Sequence, residues 1–305
     1  MLYPRLTFSS VSMSLIRLFS FRFMLISLAI TTASSTAWAE DADKVSKYDY
    51  LPSDEVISID VGEQKSEVLI RSWVGKKKLG AAIMFANTGM DADSAGLQAF
   101  LRRELTHTGW ATISITPPNS VMTPNFATSP EEVAKAGEGK EIQKSSEPTQ
   151  QFTDENWQKI REKQELFVVT SMDQLDALGK PYPGKRMLIT TAQGAGLTIS
   201  LLSKNQLPKP DILVVINPFM RQIDENQALP KLLAELEIPV LDIQSRDGHR
   251  ASLDTVKIRR ELSPHNSPYR YSQQLMSLNL TQETAWQTCL ELIEGFAQRI
   301  NKAYP

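Results

Sequence analysis

Sulfur and imidazole are scarce in this 305-residue chain: it has one cysteine, Cys289, and three histidines, His107, His249 and His265. A lone cysteine leaves no partner for an intrachain disulfide, even in an oxidising compartment. Cys289 falls in a helical pattern with Trp286, Leu290, Ile293 and Phe296, so a small buried hydrophobe is expected there rather than a reactive thiol. Scattered histidines without a cysteine cluster give a structural zinc site almost nothing to build from, and neither a metal nor another cofactor is expected. An excess of charge of one sign is missing too. Lys and Arg number 33 against 35 Asp and Glu, a formal net charge of −2, and no basic stripe offsets that balance. A nucleic-acid partner is therefore not expected. Apolar runs fall short of the ~20 residues needed to span a bilayer.

The N-terminus has a different composition. Arg5, Arg17 and Arg22 precede the apolar run Phe23 to Ile30, no acid occurs before Glu40, and Ala37-Trp38-Ala39 matches a small-x-small cleavage pattern. Residues 1–39 read as a secretory signal cut after Ala39, with Met13 or Met24 as alternative starts. The expectation is a periplasmic protein without a stable membrane span after cleavage. No cysteine follows the apolar run at the position lipidation would need. Residues 40–54 are polar and expected to be flexible, and 55–302 are expected to form one α/β domain.

Within that domain, strands and helices alternate. Val56 to Val61 and Glu67 to Val74 read as strands joined by a turn at Gly62 to Lys65. Ala81 to Ala86 is apolar throughout, as in a parallel strand covered on both faces. A helix capped by Asp93 or Ser94 is expected next, with Leu97, Phe100, Leu101 and Leu105 inward, and then the strand Trp110 to Ile115. His107, close to the helix end at Gly109, reads as a capping residue, and His265 as a loop residue. Residues 119–155 are rich in Ser, Thr, Pro, Glu and Lys and form a polar insertion, either a lid or a plain surface loop. Further strands are expected at 211–217, 239–243 and 271–280. Helices are expected at 156–178, near 229–236, at 251–262, and at 281–300 with Thr281 as cap. This rhythm implies a three-layer α/β fold with a mostly parallel central sheet.

The segment Met187 to Gly196 carries most of the functional information. An apolar strand runs into Thr190-Thr191-Ala192-Gln193-Gly194, followed by Ala195 and Gly196. Small residues at this spacing mark a nucleophile elbow, where strand and helix backbones come too close for larger side chains. Ala192 stands where the serine belongs, and a methyl group cannot attack a carbonyl. A one-residue slip would put Gln193 at the tip, which is no nucleophile either. The oxyanion-binding amides of such a site would be those of Gln193 and Met90. Asp247 follows a late strand, where a triad acid often sits, and His249 is two residues on. The two could pair to activate water, or simply form an exposed turn. A base placed after the next strand, near residues 279–283, is missing.

The order of strand, Asn87-Thr88-Gly89 loop, helix, elbow and Asp247 resembles the α/β-hydrolase fold. More narrowly, the N-terminus, the Ala81–Gly89 segment and the Thr191–Gly196 turn resemble an uncharacterised proteobacterial family of periplasmic α/β-hydrolase-like proteins. Active hydrolases of this fold imply a serine at 192 and a histidine near 280, and the chain departs from them at both. The expectation is a pseudoenzyme that binds a small carbonyl-bearing or envelope-derived ligand. The alternatives are a diverged hydrolase acting on an ester or amide with displaced groups, or an envelope protein-interaction module with an unknown protein partner.

Overall fold

In the computed structural model, residues 46–120, 153–264 and 269–304 are described. The signal-peptide reading, most of the 119–155 insertion and His265 lie outside them. Eight strands form one sheet: β1 Val56–Val61, β2 Gln64–Arg71, β3 Gly80–Phe85, β4 Trp110–Ile115, β5 Lys185–Thr191, β6 Ile212–Ile216, β7 Val240–Ser245 and β8 Tyr271–Met276. Their order is β1-β2-β4-β3-β5-β6-β7-β8. β2 is antiparallel to both its neighbours, and the remaining pairs are parallel. The helices are α1 Leu97–Thr108, α2 Asp154–Gly179, α3 Ala192–Ser203, α4 Ile223–Glu235, α5 Arg250–Leu262 and α6 Glu283–Ala303.

Strand periodicity decides which face each residue covers. Ile212, Val214 and Ile216 of β6 pack with Leu101 and Leu105 of α1 and with Ile293 and Phe296 of α6. The intervening Leu213 and Val215 pack with Leu197 of α3 and with Leu229 and Leu233 of α4. Each face alone would leave the other wet, so the central strands are apolar throughout. The result is the expected three-layer α/β arrangement. Cys289 is fully buried, with its sulfur 3.4 Å from that of Met276. Burial pushes its thiol up to about 12, and the charge of Asp247 adds to the shift.

Several boundaries differ from the sequence expectation. β2 starts at Gln64, because Gly62, at φ +62°, turns the chain in two residues and pairs Val61 with Gln64. α1 begins at Leu97 after Gly96 and has no side-chain cap. Asp93 is drawn instead to the Arg102 guanidinium at 2.8 Å, and the Ser94 hydroxyl accepts the Asp91 N–H in a local turn. α6 begins at Glu283 with Gln282 in the cap position, so Thr281 does not cap it. α1 ends in the left-handed Gly109, whose N–H returns to the Leu105 carbonyl, a cap made by backbone alone.

The chain runs from β3 outward to β4, then crosses back over β3 to add β5 on its other side. Helices α1 and α3, which follow β3 and β5, therefore leave to opposite faces of the sheet. A crevice opens between the carboxyl ends of those two strands, the usual ligand position in an open α/β sheet.

Candidate functional site

Ala192 sits at the mouth of that crevice. β5 is buried from Met187 to Thr190, and α3 begins at Ala192 itself, whose φ is +52°. A residue with a Cβ pays about 1–2 kcal/mol to adopt this left-handed backbone. Two close approaches hold it there. A Cβ on Gly194 would run into the carbonyl oxygen of Ala86 and lie 3.1 Å from the Phe85 ring. A Cβ on Gly196 would run into the carbonyl of Phe219, with the carbonyl carbon at 2.8 Å. The crest is occupied by Ala192, whereas Gln193 is buried at 2% exposure.

Both expected oxyanion amides already have acceptors, and one residue supplies them. The Gln193 N–H donates to Asn87 Oδ1 at 3.1 Å. The Met90 N–H donates to the Asn87 backbone carbonyl, also at 3.1 Å. The side-chain oxygen of Gln193 accepts from the Thr88 hydroxyl and from Arg221 Nε, each at 3.0 Å. The start of the loop after β3 is thus tied to the first turn of α3 through both the backbone and the side chain of Gln193.

Asp247 and His249 are not brought together. The Asp247 carboxylate, exposed, accepts the Ser245 hydroxyl proton at 2.6 Å. His249, also exposed, accepts the Ala251 N–H on Nδ1 at 3.2 Å and so caps α5. Its ring stacks on Phe219, with centroids 4.2 Å apart. The place near 280 where a base would be needed holds Leu280, whose carbonyl accepts the Trp286 indole N–H at 2.6 Å.

Leu280 and Ala192 border a cleft of about 180 Å³ together with Asn87, Leu97, Ile216 and Asn217. Among the described residues that line it, none carries an ionisable side chain. Asn217 is itself left-handed, at φ +51°, and its Oδ1 accepts from Gln244 Nε2 and the Ser245 N–H at 2.9 and 2.8 Å. Sequence reasoning did not single out Asn217 or Arg221, and it read Asn87 only as a loop residue. The one local signal was an asparagine just beyond a buried strand, which occurs after both β3 and β6. Among the described residues, no helix is long and apolar enough to cross a membrane.

Comparison with solved structures gives the fold a name. Est1E from Butyrivibrio proteoclasticus superposes with a TM-score of 0.52 at 10% identity, over 81% of this chain and 99% of that one. A serine hydrolase homologue from Coxiella burnetii gives 0.51 at 12%, over 80% and 98%. The esterase domain of a Rhodothermus marinus protein gives 0.50 at 11%, over 80% and 97%. At these identities the likeness concerns the fold alone, the three-layer arrangement of α/β-hydrolases. No curated protein matches the chain in sequence. A family model does match, from residue 21 to residue 299, and the chain belongs to that family, described as protein of unknown function (DUF3530).

Proposed function

We propose that this chain is an exported, non-hydrolytic protein of the α/β-hydrolase fold that binds a small carbonyl-bearing ligand at the elbow cleft. The observation that carries the reading is Ala192 at φ +52° on the crest between β5 and α3. A methyl group there offers no attacking oxygen, and among the described residues that line the cleft none carries an imidazole, Leu280 being the one from the region near 280. Binding rather than decay is supported by strain. Of the three non-glycine residues with positive φ among those described, Ala192 and Asn217 both line the cleft. Strained backbone of this kind persists where the surroundings enforce it, and it concentrates at sites of function. A displaced hydrolytic pair has less support, since Asp247 and His249 are engaged with different partners.

Treatment of the chain with a fluorophosphonate is expected to leave no covalent adduct, and an ester panel no turnover above buffer. Ala192→Ser should stay equally silent, because a serine without a neighbouring base remains a weak nucleophile. An adduct on any serine of the cleft in the unaltered chain would refute the non-hydrolytic reading.

The export part of the proposal rests on the arginines and apolar run before Ala37-Trp38-Ala39. In a Gram-negative host, the processed chain is expected in the osmotic-shock fraction with Glu40 as its first residue. Recovery of the uncut chain from the cytoplasm would defeat it.

A further inference from the structure

We infer that the elbow cleft selects an uncharged carbonyl compound, an amide, ester or ketone with a short apolar arm, and that Asn87 is the internal ligand it must displace. This rests on the binding role proposed above and names its ligand class and its gate.

Three observations converge. First, the Gln193 N–H is already held by a carbonyl oxygen, and that oxygen belongs to a neutral carboxamide, Asn87 Oδ1 at 3.1 Å. The protein has thereby placed a primary amide on the N–H that a ligand carbonyl would take over. Second, the described lining has no ionisable side chain. A carboxylate or ammonium entering it would lose hydration without a compensating countercharge, which is far more costly than moving a neutral amide. Arg221 keeps its charge, but it is exposed and not part of the cleft wall, so that charge stays with solvent rather than facing a ligand in the cleft. Third, Leu97, Ile216 and Leu280 give the cleft, of about 180 Å³, apolar walls against which an acyl arm can lie.

Asn87 is suited to moving. Its side chain is only half-buried. The backbone carbonyl that accepts the Met90 N–H can keep its bond while the side chain turns. The Gln193 side chain is held independently by Thr88 and Arg221, so its backbone N–H keeps its place beside the cleft residue Asn87 when that side chain turns away. A ligand must then compete with the closed form, and its apparent affinity falls by the fraction of open molecules.

Butyramide and butyrate test this directly, being nearly isosteric and differing in charge. With uniformly ¹⁵N-labelled protein, butyramide is expected to move the Gln193 backbone amide resonance, while butyrate at the same concentration leaves it in place. Asn87→Ala should tighten butyramide binding about fivefold or more by removing the internal competitor. Asn87→Asp should weaken it, because a carboxylate accepts the Gln193 N–H more strongly than an amide does. Equal binding of butyrate and butyramide, or unchanged affinity in both variants, would overturn the inference. The two readings fail separately. Turnover of butyramide would end the non-hydrolytic reading while the selectivity and the Asn87 effect stand. Absence of butyramide binding in a chain that is also silent to fluorophosphonate would end this inference alone.

Discussion

Truncating either Asp242→Ala or Arg259→Ala is expected to cost about 3–5 kcal/mol of folding stability, because each change strands the other charge in the interior. Both side chains are at 0% exposure, with Arg259 Nε 2.8 Å from Asp242 Oδ2. Asp242 also accepts from the Tyr271 hydroxyl at 2.6 Å and from Gln273 Nε2 at 2.9 Å. Burial, reinforced by the negative charge of Asp242, pushes the Tyr271 phenol far above its ordinary range. It therefore stays protonated, and a donor, at neutral pH. Arg259 distributes its remaining protons to the Ser252 carbonyl at 3.0 Å, Thr255 Oγ1 at 2.6 Å and Gln244 Oε1 at 2.8 Å. Urea unfolding of the two alanine variants measures the effect, and a loss below about 1 kcal/mol in both would contradict it. The double variant Asp242→Leu with Arg259→Met should recover much of the loss, since no unpaired charge is left behind. The network also has a positional consequence. Gln244 donates to Asn217 Oδ1 at 2.9 Å, so the buried pair helps fix a residue of the cleft wall.

Gly196→Ala is the second large effect, expected to cost about 1–3 kcal/mol or more. The added carbon would meet backbone, the carbonyl of Phe219, and a backbone atom cannot rotate away as a side chain can. Gly194→Ala should behave similarly against the carbonyl of Ala86. Gly295 in α6 is the control. The nearest atom to a Cβ there is Arg299 Nη1 at 3.8 Å, an ordinary contact, so Gly295→Ala should stabilise by about 0.5–1 kcal/mol through helix propensity alone. Thermal melts of the three variants decide the matter. Equal effects at positions 194, 196 and 295 would mean that the strand-to-helix corner is not tightly packed.

The elbow was legible because its requirements are local. A buried strand, a sharp reversal and a closely packed helix impose small residues at fixed intervals, and Gly194 and Gly196 display that demand without any reference to the rest of the chain. The central strands were legible for the same reason, since burial on both faces makes each a continuous apolar run. Cys289 was read correctly from the apolar helical face around it. Capping was less visible. Asp93 and Ser94 looked like caps for α1, but the buried guanidinium of Arg102 and a local turn claimed them. Competition between a nearby backbone N–H and a distant charge cannot be weighed until the partner's position is known.

The linear order of residues by itself determined the layered α/β architecture, the bend at residue 192 and the absence there of an attacking oxygen. Tertiary structure decided what occupies the site instead. Asn87 reaches an amide 106 residues away, His249 turns to Phe219 and the cap of α5 rather than to Asp247, and Leu280 joins Ala192 in lining the cleft. These are contacts between strand ends and loops that only the assembled sheet makes neighbours. Local pattern records the conformation a segment must adopt, whereas the identity of its hydrogen-bond partner depends on which distant segment the topology delivers to it.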